Sequence, residues 1–201
     1  MLLYILQVVS IIFIGVKRMF DNVQINIPGG LDFEIPKMVK VKQNFEDHKI
    51  EDVALAVKNE INKPEITNSI KAGASIAIGV GSRGVANIDI AVKSLVSCLK
   101  ELGAKPFIFP AMGSHGGGTV ENQKALLAGY GVTEEKVGAE VRATMETVVP
   151  VVLDDGTKVH MDKFAYEADG VVLINRVKPH TNFRGSIESG VVKMMTIGMG
   201  K

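Results

Sequence analysis

The sequence predicts an α/β fold, a mostly parallel sheet with helices on both faces. Apolar runs of strand length alternate with stretches whose apolar residues recur at helical spacing, the order that gives parallel pairing through crossover helices. Two of those runs, SIAIGV and PFIFP, are almost wholly apolar, as strands buried on both faces are. Glycine-rich loops follow them, at the place where open α/β sheets build their sites.

In chain order, Met38–Val41 is a short strand candidate. Ile50, Val53, Ala54, Val57 and Ile61 lie at helical spacing and predict a helix over Ile50–Ile61. Ser75–Val80 is a strand running into glycines, and Ile88–Leu102 is the helix after it, with Asn87 in position to cap it. Pro106–Pro110 is the next strand and Val120–Ala128 the next helix. Thr133–Val137 reads as a helical turn. Val148–Leu153 and Lys158–His160 flank Asp154-Asp155-Gly156, a hairpin signal that places a β-hairpin near residues 148–160. Val171–Ile174 is a last strand, and the GVVKMMTIGMGK tail shows no terminating element.

Composition narrows the function. With 201 residues, 46% hydrophobic and 22% charged, the chain has apolar content for a core and does not read as disordered. Lys and Arg total 23 against 22 Asp and Glu, so there is no basic surplus to hold nucleic acid. The single cysteine, Cys98, excludes an internal disulfide and a thiolate metal cage, and points to the cytoplasm. Leu2–Val16 carries no charge and precedes Lys17-Arg18. That stretch is shorter than the roughly 20 residues a membrane helix needs, and its charge order is the reverse of a signal peptide's. The expectation is that residues 1–18 lie outside the native fold, that the domain spans 19–201 with Met19 as native start, and that the protein does not use a membrane.

Three loops hold the candidate chemistry. Gly79–Gly84 (GVGSRG) fits the dinucleotide pattern G-x-G-x-x-G, which makes a nicotinamide-dependent oxidoreductase one reading, although no carboxylate follows the PFIFP strand before Glu121. Arg83 in the same loop suits a carboxylate or phosphate, so a non-catalytic anion-binding domain is another. Ala111–Gly118 (AMGSHGGG) places His115 on permissive backbone, able to come close to a ligand as a general base must, while the absence of any G-x-S-x-G removes serine hydrolysis. Lys178–Gly185 (KPHTNFRG) fixes the backbone with Pro179 just before His180. His48 and His160 read as structural.

Taken together these blocks resemble the N-terminal half of the nickel-dependent lactate racemase family. Ser82-Arg83 resembles the family's Thr-Arg loop and Gly113-Ser114-His115 its Gly-Thr-His segment. Pro179-His180 followed by Ser189-Gly190-Val191-Val192-Lys193 resembles its Pro-His block and Ser-Gly-Gly-x-Lys stretch. The resemblance implies a 2-hydroxyacid racemase or epimerase acting by hydride transfer, with His115 and His180 as acid/base residues on opposite faces of the substrate carbon. It implies a nickel-pincer nucleotide attached covalently at Lys193, with Ser82, Arg83, Gly113 and Ser114 about the cofactor and Arg83 near the substrate carboxylate. No metal ligand is expected in this chain. The resemblance makes it the N-terminal domain of a two-domain enzyme, with the C-terminal domain and the nickel-ligating histidine expected after Lys201 and the isolated chain inactive. Ser82 in place of threonine and Val191-Val192 in place of a glycine run leave the particular 2-hydroxy acid open.

Overall fold

The structure is a computed structural model that describes residues 37–46 and 49–200. The chain divides into two units at residues 47 and 48, and the helices and strands formed by the described residues belong to the second. The expectations for residues 1–18, Met19 and His48 lie outside the described residues. In the first unit the expected strand Met38–Val41 is not formed: residues 37–46 carry no regular structure, and Met38, Val39 and Val41 are exposed. Both sheets are made of other segments, and a run of six residues holding three lysines has neither a pairing partner nor a core to cover it.

The second unit opens with helix α1, Val53–Ile61, and the single turn α2, Pro64–Thr67. α1 starts later than its apolar spacing suggested, because Asp52 caps it, its carboxylate accepting the Leu55 N–H at 2.9 Å, and Ile50 is left outside and exposed. Then come strand β1, Ser75–Val80; helix α3, Ile88–Glu101; strand β2, Lys105–Pro110; helix α4, Val120–Gly129; and the short helix α5, Glu134–Val137. Strands β3, Thr147–Val152, and β4, Lys158–Asp162, form the antiparallel hairpin. Helix α6, Lys163–Glu167, strand β5, Gly170–Ile174, and helix α7, Val191–Lys193, complete the unit, with a π-helical segment Met194–Met199 continuing α7.

The main sheet has the order β2-β1-β5, all parallel, with Ile78 opposite both Ile108 and Val172. Alternation along β1 sends its residues to two cores. Ile76, Ile78 and Val80 pack with Val92, Leu95 and Leu99 of α3 and Leu127 of α4. Ala77, beside Phe107 and Phe109 of β2, packs with Ala165 of α6 and with Met194 and Met199. Helical segments therefore cover both faces, as the α/β expectation requires. Asn87 stands at the cap position of α3 but is left-handed (φ 58°) and its side chain makes no cap bond. An N-cap needs extended backbone to aim its oxygen at the first turn, so asparagine is suited here to the backbone turn and not to capping. Thr119, Thr133 and Asp162 do cap their helices. Among the described residues no helix is long and apolar enough to cross a membrane.

Candidate active site at the carboxyl ends of the parallel strands

Pairing continues one residue past each strand and fixes where the loops leave the sheet. The Gly81 N–H donates to the Ile174 carbonyl at 3.1 Å, and the Ala111 N–H to the Val80 carbonyl at 3.0 Å. The three loops that follow β1, β2 and β5 thus rise side by side. Between them lies a cavity of about 400 Å³ lined by Ser82 and Arg83, by His115, by Arg176, Lys178 and His180, and by Lys193. Five of the seven residues singled out from the sequence are brought together here.

The first two loops are joined through side chains. Ser82 Oγ is hydrogen-bonded to His115 Nδ1, and the Tyr130 hydroxyl donates to the Ser82 carbonyl at 2.6 Å. Beneath His115, Gln123 is fully buried on α4 and its Nε2 donates to the Gly113 carbonyl at 2.8 Å and the His115 carbonyl at 3.1 Å. The loop then turns away through Gly116, Gly117 and Gly118, all at positive φ. Sequence reasoning passed over Gln123; the signal was a polar residue four positions before the buried Leu127, on the face α4 turns to the core. Replacing Gln123 with leucine leaves two carbonyls without their donor. The expected loss is about 1–3 kcal/mol in a denaturant-unfolding experiment.

The third loop is organised by Glu188. One carboxylate oxygen accepts the His180 N–H at 2.8 Å and the other the Gly185 N–H at 3.1 Å. Arg184 donates to the His180 carbonyl at 3.2 Å and pairs with Glu188 at 3.5 Å, and Phe183 stacks on the imidazole with centroids 4.0 Å apart. The backbone N–H bonds from His180 and Gly185 hold the Glu188 carboxyl below the ordinary glutamate range. Because the folded value is depressed, the bond set is complete at neutral pH, begins to weaken below the ordinary glutamate value and is lost as pH falls through the lowered one. In an NMR titration the His180 and Gly185 amides should move together with a midpoint below that of an ordinary glutamate. In Glu188→Gln that transition should be missing.

Lys193 lines the same cavity. Gly190 (φ 103°) stands at the N-cap of its helix, and the residue after Lys193, Met194, is buried in the second core. The π-helical segment is locked to the second loop: the Gly113 N–H donates to the Gly198 carbonyl at 2.9 Å, and a Cβ on Gly198 would stand 2.7 Å from the Ala111 carbonyl oxygen. Gly113 (φ 56°) and Ser114 line a different, largely apolar cleft of about 620 Å³, shared with His160, Met161 and Met195. A Cβ on Gly113 would run into the Ile197 carbonyl, so its glycine is explained by close packing. His160 makes a bond across the hairpin to Thr147 Oγ1 at 2.9 Å.

The cavity's charge is one-sided. Arg83, Arg176, Lys178 and Lys193 line it, and none of the described residues lining it is a carboxylate. A site with four cations and two imidazoles is built for an anion. Sequence reasoning did not single out Arg176, just past β5, or Lys178, the first residue of the third loop, as site residues. The dinucleotide pattern, by contrast, has no matching geometry. Gly79 lies inside β1, where a Cβ would be 2.6 Å from Leu173 and 2.8 Å from Phe109, and α3 begins four residues after Gly84.

Fold and cavity together define an α/β domain with a cation-lined cavity, carrying two histidines, at the carboxyl ends of a three-stranded parallel sheet. The family model described as the lactate racemase N-terminal domain matches residues 21–200, and the chain belongs to that family. No curated protein matches it.

Proposed function

We propose that this domain carries the acid/base half of a 2-hydroxyacid racemase or epimerase, an isomerase acting on a small 2-hydroxy acid. The observation that carries the reading is the meeting of His115 and His180, from separate loops, in one cavity lined by four cations. Interconverting two enantiomers means handling a hydroxyl presented to opposite sides of one carbon, and one imidazole cannot face both. The cations suit the substrate carboxylate, with the planar guanidinium of Arg83 able to meet it as a fork.

The nickel-pincer nucleotide implied by the family also fits these residues. Its phosphate would be met by the same cationic lining, and Lys193 reaches the cavity from a helix end held by buried Met194. Arg83, Arg176 and Lys178 would hold the nucleotide and Lys193 would anchor it; bound there, it supplies an acceptor and donor for hydride. The remaining work belongs to the chain. An imidazole Nε2 takes the hydroxyl proton, the cations hold the carboxylate against rotation, and Met112, Met194 and Ile197 give the cavity its apolar walls. Among the described residues no group of three His, Cys, Asp or Glu side chains is placed to hold a metal ion.

The test is a chiral assay of this domain joined to the C-terminal domain that the resemblance implies, purified from a host that makes the nucleotide and given single enantiomers of short 2-hydroxy acids. The reading requires the opposite enantiomer to accumulate to an equal mixture with at least one of them. If the loaded protein converts none, or oxidises them with net consumption of a nicotinamide, the reading is wrong.

A further inference from the structure

The two histidines have different hydrogen-bond partners at Nδ1, and the difference decides where each ring keeps its proton. His180 Nδ1 accepts the backbone N–H of Asn182 at 3.1 Å. An amide N–H only donates, so Nδ1 must hold a lone pair, and neutral His180 carries its proton on Nε2. Stacking on Phe183 and the Glu188 bond to its own N–H hold the ring and its backbone in this arrangement. His115 Nδ1 instead meets the Ser82 hydroxyl, which can accept or donate. The choice falls to the surroundings: the cavity that His115 lines also holds Arg83, Arg176, Lys178 and Lys193. With Nδ1 engaged by Ser82, Nε2 is the nitrogen left for that cationic cavity, where a lone pair is favoured over an N–H, and this argues for the proton on Nδ1, donating to Ser82 Oγ.

We propose that Ser82 is the positioning residue of His115 and that the two histidines rest in opposite neutral tautomers, His115 with a free Nε2 base and His180 with an Nε2–H donor. The inference deepens the functional reading above and rests on it for its catalytic meaning. When His115 Nε2 takes a substrate hydroxyl proton, the imidazolium keeps its Nδ1–H on Ser82 Oγ, so no partner has to be exchanged. His180 can give a hydrogen bond to a substrate oxygen at once, but it becomes a base only when the Asn182 amide leaves Nδ1. His180 must give the product its hydroxyl proton in one direction and take that of the substrate in the other, so a movement within the 180–185 loop that frees Nδ1 belongs to turnover in both directions.

The experiment reads the ring nitrogens of the chain itself by long-range proton–nitrogen NMR, at a pH where both histidines are neutral, with no cofactor or turnover needed. His180 should show a pyridine-type Nδ1 and a pyrrole-type Nε2, and His115 the reverse. In Ser82→Ala the His115 pattern should move toward the Nε2–H form that free histidine prefers, while Ser82→Thr, which keeps the hydroxyl, should retain the wild-type pattern and His180 should not respond to either. A proton on His180 Nδ1, or a His115 pattern identical in wild type and Ser82→Ala, overturns the proposal. These outcomes are independent of the chiral assay, so failure here and failure of the racemase reading are told apart.

Discussion

His115→Ala and His180→Ala should each abolish complete racemisation in the cofactor-loaded two-domain enzyme, with losses on the order of 100-fold or more, the range removed with a general acid or base. Both side chains border the cavity without supporting the core: His115 is exposed, and His180 is half-buried on a loop that Glu188 holds through backbone N–H groups. The fold should therefore survive both changes, which a thermal melt checks alongside the chiral assay. A doubly substituted protein should be little slower than the slower single variant, because the two imidazoles act on one substrate in one cycle. Full interconversion by either single variant would show that a second imidazole is not needed.

Lys193→Ala should remove the attached nucleotide altogether. In a host that makes it, intact-mass measurement of the wild-type chain should show an adduct, and peptide mapping should place that adduct on Lys193. Lys193→Arg separates charge from chemistry. It keeps a cation in the cavity, and so the attraction for phosphate, but a guanidinium is far less nucleophilic than an amine, so the adduct should be lost as in the alanine variant. Because α7 is only three residues long and Met194, not Lys193, is the buried member of the pair, neither change should disturb the second core. An adduct mapped to Lys178, the other lysine lining the cavity, would move the anchor to the third loop.

The parts of the fold legible in the sequence were those with strong periodicity or a continuous apolar run. β1 coincides with SIAIGV, and β2, β5, α3 and α4 lie within a residue or so of their expected limits, because burial on both faces or along one stripe dominates those stretches. Met38–Val41 had the residue types of a strand, but strands need a neighbour and composition cannot supply one. The α7 and π-helical region was missed because MMTIGM carries no helical stripe; Gly198 is there to admit the Ala111 carbonyl, a tertiary reason. The same division holds in the site. His115, His180 and Arg83 were visible because histidine and arginine stand out in loops marked by glycine or proline. Lys193 carries no local signal of its own and gains a role only through the resemblance. Gln123, Arg176 and Lys178 owe their positions to how α4 and the end of β5 pack, which no local pattern announces.

The most direct measurement uses one enantiomer of an accepted 2-hydroxy acid carrying deuterium at carbon 2, incubated with the loaded protein in ordinary water. If hydride leaves and returns at that carbon while the histidines handle only the hydroxyl proton, the opposite enantiomer should form with its deuterium retained. Product that has exchanged deuterium for solvent hydrogen would mean that the imidazoles remove the proton on carbon itself, and would contradict hydride transfer with His115 and His180 acting on the hydroxyl alone.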